Sequence, residues 1–273
     1  MTNLIRRAVA VAISGAGTNG AAEAGAIAAL EDAYLAIDEV TGTSAGSIVA
    51  ALIALGATGR QMRTVIMDAN YASLIDYQWW SIMGRWTAAS AGNVQRWLQL
   101  ITRNQQMKDC ALSLTTVTAD LTTQKSVYWR ASEVPAMPVW QAIYSSMAIP
   151  FIFPKYLDRY VDGGVMDNLP VAQLTASKRR LALLATEVCQ TGPVTGPIDE
   201  AGRALSMMLS ANVAQAKIYA KAVGVPVVEL PCGNLGFLDR AQTLDEKRWL
   251  FSSGYRAVTQ WLQTPEGKQW LQS

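Results

Sequence analysis

Histidine is absent from all 273 residues. That removes the usual proton acceptor from serine-based chemistry and leaves any such site to a carboxylate or an amine. Cysteine is scarce as well. Cys110, Cys189 and Cys232 are odd in number, widely spaced and in no metal-like pattern, which reads as thiols in a reduced compartment. Charged residues make up only 16% of the chain against 51% hydrophobic, and 23 basic side chains nearly balance 21 acidic ones. The resulting +2 is too little to imply a nucleic-acid partner. No window approaches 18 consecutive apolar residues, so a transmembrane helix is not expected. There is no internal repeat, low-complexity tract or charged linker. Arg6-Arg7 ahead of an apolar run has the outline of a signal peptide, but the run is short and flows straight into a glycine loop. A first β-strand accounts for it better, and cytoplasmic synthesis follows.

What is present alternates. Ala8–Ile13 reads as a buried strand ended by glycines, Ala21–Leu35 as a helix, Glu39–Thr41 as a short strand, and Ala45–Leu55 as an alanine-rich helix stopped by Gly56. Strand, glycine turn, helix, repeated, is the pattern of a parallel sheet covered by helices. Leu112–Asp120, Ser126–Trp129 and Leu181–Val188 read as further strands, and Ala201–Val223 as a long helix. Val225–Leu230 reads as an edge strand because Pro226 cannot serve a central ladder. Residues 71–107 fit neither sheet nor regular crossover and read as an insertion. We take residues 1–273 as one α/β domain, with core motifs over 8–190 and C-terminal helices and the edge strand over 198–273.

Two glycine turns carry the chemistry. Gly15-Ala16-Gly17-Thr18-Asn19-Gly20 is a literal G-x-G-x-x-G between a strand and a helix. Its converging N–H groups suit negative charge, either a dinucleotide pyrophosphate, with Asp38 or Glu39 as the ribose acid, or a transition-state oxyanion. Gly42-Thr43-Ser44-Ala45-Gly46 is a G-x-S-x-G turn, also between strand and helix, and its small residues leave room for the strained serine of a nucleophile elbow. With no imidazole, the base is sought among carboxylates. Asp162 stands out because Gly163 and Gly164 follow it on an open, tightly turning backbone. Asp120, Asp158 and Asp167 compete with it, and lysines remain in principle.

Taken together these stretches resemble the patatin-like phospholipases, lipid acyl hydrolases with a Ser-Asp dyad. Residues 15–20 resemble the family's oxyanion loop and Gly42–Ser47 its elbow. Ser145-Ser146-Met147-Ala148-Ile149-Pro150, with Phe153-Pro154, resembles the approach to the dyad aspartate, and Asp162–Pro170 the aspartate motif itself. Thr116–Thr122 and Gly254-Tyr255 are weaker echoes. The sequence departs in the oxyanion loop, where Ala16 replaces a usual glycine and Asn19 a usual arginine or lysine.

The resemblance implies a three-layer α/β/α sandwich with a central, mainly parallel sheet. It implies Ser44 as nucleophile, Asp162 as base, and an oxyanion hole from the N–H groups of Gly15, Ala16, Gly17 and Ala45, with no cofactor and no metal. A phospholipid or other lipid ester is the expected substrate, met at a transient membrane surface. Leu74, Ile75, Tyr77, Trp79, Trp80, Ile82, Met83, Trp86 and Trp97 either roof the core or form a lid touching the bilayer, where Arg85 and Arg96 meet lipid phosphates. Two other readings stay open: a catalytically weak lipid-binding or scaffold module of the same fold, and a nucleotide-binding protein using Gly15, Gly17 and Gly20. Oligomeric state, a homodimer included, is not encoded in these motifs, and an effector delivered into another cell would carry the same sequence signals.

Overall fold

The computed structural model describes residues 7–74, 92–150, 152–176, 178–186, 192–235 and 242–272. Seven strands form one sheet. Its order is β4 (Lys125–Arg130), β3 (Ser113–Asp120), β2 (Leu35–Thr43), β1 (Arg7–Ile13), β6 (Arg180–Thr186) and β7 (Val227–Pro231), with the short β5 (Tyr160–Asp162) also paired to β3. Strands β1, β2, β3, β6 and β7 run parallel, whereas β4 and β5 are antiparallel to β3.

The alternation of side chains along β1 explains the layering. Val9, Val11 and Ile13 point into a large core shared with α1 (Gly20–Asp32), α2 (Ala45–Ala54), α3 (Gly59–Asp68) and α6 (Val139–Met147). The intervening Ala10 and Ala12 enter a smaller core with Leu169, Val171, Leu174 and Ala220. Ala220 belongs to α7 (Pro197–Ala222), so helices cover both faces and a central strand is apolar throughout. This is the expected α/β/α sandwich. Helix α8 (Leu244–Gln263) starts at a Thr243–Glu246 capping box and crosses α1 where Gly254 meets the backbone of Ala22.

Several boundaries differ from expectation. Helix α1 stops at Asp32, because Tyr34 takes a left-handed conformation (φ 59°) and Leu35 already opens β2. Strand β2 is correspondingly longer than Glu39–Thr41. Helix α7 begins at Pro197, where a missing N–H is harmless. Strand β7 is an edge strand, as Pro226 implied. The expected insertion contains α4 (Tyr71–Leu74) and a true helix, α5 (Gly92–Ile101), whose Val94 and Leu98 are buried one turn apart. Leu74 and Trp97 pack against the core from half-buried positions. Ile75, Tyr77, Trp79, Trp80, Ile82, Met83, Arg85 and Trp86 lie outside the described residues, as does Cys189.

Strand β3 is the template that positions the chemistry. Thr43, the last residue of β2, is paired with Val117, and Asp162 of β5 is paired with the next residue, Thr118. Two strands from distant parts of the chain thus meet end to end along one edge of β3. Ser44 and Asp162 come together at that junction.

Candidate active site

Ser44 sits between β2 and α2 with φ 53° and ψ −127°, a conformation that L-residues rarely adopt. The surrounding turn holds it there. Its N–H donates to Ser146 Oγ at 2.9 Å, its carbonyl accepts from Ser47 Oγ at 2.6 Å, and the neighbouring Thr43 hydroxyl donates to the Asp167 carbonyl at 2.8 Å. A side chain at Gly46 would collide with the Ser14 carbonyl, so only glycine lets the elbow lie against the first turn. The strain is the local cost of aiming Oγ away from the helix axis and toward the carboxylate.

Ser44 Oγ donates to Asp162 Oδ2 at 2.5 Å. The other carboxylate oxygen accepts the Gly164 N–H at 2.7 Å, and both residues are buried. Burial pushes Asp162 up to about 6, while the hydrogen bonds from Ser44 and Gly164 pull the other way. An acid in that range is ionised at neutral pH yet basic enough to take a proton. The rival carboxylates have other occupations. Asp120 is held far below the usual range by hydrogen bonds from Arg159, with further ones from Thr122 and Thr123. Asp167 is raised by burial and accepts from the Tyr128 hydroxyl at 3.2 Å, and Asp158 is exposed on a left-handed turn.

The glycine loop lies beside the elbow because Ile13 and Gly42 are register partners at the same end of the sheet. One expected donor is otherwise engaged. The Gly15 N–H donates to the Asn168 carbonyl at 3.0 Å, which ties the loop to the aspartate segment. For the N–H groups of Ala16, Gly17 and Ala45 there is no such partner among the described residues, and Ala45 opens a helix whose first N–H groups have no intrahelical acceptor. Asn19, the conspicuous departure, is 2% exposed and faces the C-terminal part of the chain. Its amide donates to the Leu235 carbonyl at 3.0 Å and accepts from Gln242 at 2.8 Å. It fastens the loop with neutral groups where a cation would have been expected. Asp38 and Glu39 do not face the glycine loop. Glu39 accepts from the Thr175 N–H at 2.9 Å, and Asp38 pairs with Lys178 at 3.0 Å.

Three connected cavities surround the pair. A recess of about 30 Å³ is lined by Ser44, Asp162, Gly15, Gly17 and Asn168. It shares Gly17, Ser44 and Ile149 with an apolar cavity of about 80 Å³ walled by Ile48, Val49, Ile66, Val94, Trp97 and Phe153. It shares Gly15, Asn168 and Leu209 with a more polar cavity of about 200 Å³ beneath α7. Among the described residues no group of His, Cys, Asp and Glu side chains is placed to hold a metal ion.

The arrangement defines a class: an α/β protein with a serine–carboxylate pair on a nucleophile elbow beside a glycine loop. Residues 11–175 match the family described as patatin-like phospholipase, and the chain belongs to that family. Relatives include the uncharacterised protein YqhO of Bacillus subtilis, 30% identical over 61% of this chain and 67% of YqhO. Lysophospholipase nte1 of Emericella nidulans is 27% identical over 63% of this chain, a region that makes up 11% of nte1. Among solved structures, the ExoU–SpcU complex from the type III secretion system of Pseudomonas aeruginosa shares the fold. Its TM-score is 0.58 at 20% identity, covering 98% of this chain and 52% of the other. The chain therefore spans about two thirds of YqhO, half of the ExoU–SpcU chain it matches and a tenth of nte1. The fold and the lipid-hydrolase family expected from the motifs are thereby established.

Proposed function

We propose that this chain hydrolyses carboxylic ester bonds of lipids through an acyl-enzyme on Ser44. The observation that carries the reading is the 2.5 Å hydrogen bond from the strained Ser44 hydroxyl to Asp162. Asp162 takes the hydroxyl proton as Oγ attacks the acyl carbon, and the N–H groups of Ala16, Gly17 and Ala45 receive the oxyanion. The proton then passes to the departing alcohol, and water activated by the same carboxylate releases the fatty acid. The apolar cavity suits the acyl chain. Backbone dipoles carry the charge, so no step calls for a metal.

Hydrolysis of a fluorogenic ester and of phospholipid vesicles in excess chelator tests the reading. Turnover should persist undiminished. Loss of activity in chelator with recovery on adding calcium would contradict it. A catalytically weak lipid-binding module is the second reading, favoured by the neutral tethering of Asn19 where the family resemblance leads one to expect a cation. A fluorophosphonate probe separates the two, because only an activated serine is labelled.

We place the protein at membrane surfaces, in its own cell or, as an effector, in another. Among the described residues no helix is long and apolar enough to cross a membrane. The tryptophans of the insertion are the proposed contact. Replacing Trp79 and Trp80 with alanine should weaken vesicle binding and slow vesicle hydrolysis by roughly tenfold, while soluble-ester turnover and thermal stability are largely kept. A large fall in melting temperature with both substrates equally impaired would make these rings core.

A further inference from the structure

The cavity beneath α7 has no part in the reading above, although it adjoins the recess that holds the nucleophile. Gly15, Asn168 and Leu209 line both this cavity and the recess that holds Ser44 and Asp162. The apolar cavity reaches that recess from the other side, through Gly17 and Ile149. An ester carbonyl placed at Ser44 thus has two unlike compartments flanking it. One is built for hydrocarbon.

The second compartment has a different chemistry. Ser206 and Ser210 lie one turn apart on α7 and both line it. Ser206 is half-buried and Ser210 exposed at the rim; neither hydroxyl, nor the side-chain amide of Asn168, has a hydrogen-bond partner among the described residues. That amide is 6% exposed and its Oδ1 lies against Gly15 and Gly164, at the threshold between cavity and recess. The amide therefore faces the shared wall of cavity and recess with its hydrogen-bonding capacity available to an occupant. The remaining polar groups of the wall are engaged: Thr186 Oγ1 donates to the Leu230 carbonyl at 3.4 Å, as does Cys232 Sγ, and Asn19 is tied to Leu235 and Gln242. Among the described residues no charged side chain lines the cavity. Along the described wall a phosphate would find no cation, whereas an alcohol with further hydroxyls would find donors and acceptors.

We propose that this cavity is the leaving-group subsite, and that it takes an uncharged, hydroxyl-bearing alcohol such as the glycerol unit of a glyceride. This rests on the hydrolase reading. Ser44 Oγ bonds to the acyl carbon while its proton goes to Asp162. The ester C–O bond breaks and the proton moves to the departing oxygen, releasing the alcohol into this cavity. Water then attacks the acyl-enzyme and gives one proton to Asp162, which passes it to Ser44 Oγ as the acyl–Oγ bond breaks and the fatty acid leaves. Ester and water become acid and alcohol, with nothing else consumed. Ser206, Ser210 and Asn168 hold the hydroxyls that do not react.

The test compares kcat/KM for three substrates with one acyl chain: a 1-monoacylglycerol, the ethyl ester and the lysophosphatidic acid. The wild-type protein, Ser206→Leu and Ser206→Thr are measured, with Ser210→Leu as a second variant should Ser206→Leu fold poorly. Wild type should favour the monoacylglycerol over both others by about tenfold, the scale of one or two hydrogen bonds. Ser206→Leu should collapse the monoacylglycerol-to-ethyl-ester ratio, and Ser206→Thr, which keeps the hydroxyl, should preserve it. The same ratio in all variants, or a wild-type preference for lysophosphatidic acid, overturns the subsite and leaves the hydrolase reading standing. A wild-type protein that cleaves none of the three overturns both.

Discussion

Ser44→Ala should lower ester hydrolysis by on the order of 10⁴-fold or more while leaving the protein folded. In the proposed mechanism this hydroxyl forms the bond to the acyl carbon, and removing a nucleophile costs most of the acceleration such sites provide. The fold has little reason to fail. Alanine accepts the same strained backbone no worse than serine, and the anchoring bonds to Ser146 and Ser47 use main-chain atoms. One side effect follows from the geometry. Without the hydroxyl, Asp162 keeps only the Gly164 N–H and should titrate above its wild-type value of about 6. Ser44→Gly should be equally inactive but more stable than Ser44→Ala by roughly 1–2 kcal/mol, since glycine tolerates φ 53° without penalty. Paired assays of turnover and thermal unfolding check both statements. An alanine variant retaining more than a few per cent of wild-type turnover would mean that another group attacks.

Asp162→Asn should cost about 10³- to 10⁴-fold in turnover and raise stability at neutral pH. The loss reflects the missing base. Wild-type turnover should climb with pH through about 6, where Asp162 ionises, and the residual activity of the variant should lack that limb. The stability effect has the opposite sign to activity. Burial raises the folded-state value from 3.8 to about 6, so the folded protein binds this proton more tightly than the unfolded chain. The group's contribution is therefore most favourable at low pH and is lost as pH rises through about 6. That difference of about two units corresponds to roughly 3 kcal/mol of destabilisation at pH 8, which asparagine removes. The melting-temperature advantage of the variant should be largest at pH 8 and vanish near pH 4. An advantage independent of pH, or none at all, would show that Asp162 is not a strained, buried acid.

How far these features were legible differs by element. The apolar run that became β1, the glycines closing it and the alanine-rich α2 are local patterns, and they read correctly. The choice of Asp162 over its rivals had a local cue in the two glycines after it. The reason it meets Ser44 did not. That meeting depends on β5, three residues long and too short to show a period, continuing the edge that β2 vacates on β3. Ser146 and Asn168 stood inside recognised motifs without a role, because an acceptor for the Ser44 N–H and a clasp for the Gly15 N–H exist only once distant segments meet. Gly15 misled for the same reason. A glycine in a G-x-G loop is expected to offer its N–H, and nothing in the loop announces that Asn168 has already taken it. Asn19 shows in the sequence only as a missing charge, because its bonds to Leu235 and Gln242 link positions more than 200 residues apart. Helix α7 was foreseen as a helix, whereas its place over the polar cavity is a matter of packing alone.

The proposed mechanism requires that Ser44 become acylated during turnover. The direct measurement is rapid acid quenching of the wild-type protein mixed with a lipid ester, followed by mass spectrometry of the peptide carrying Ser44. The account predicts that this peptide gains the mass of the acyl group within one turnover, that it appears and decays fast enough to carry the steady-state rate, and that Ser44→Ala gains none. Hydrolysis proceeding at full rate with Ser44 unmodified, or an equally competent acyl group on another residue, would contradict it.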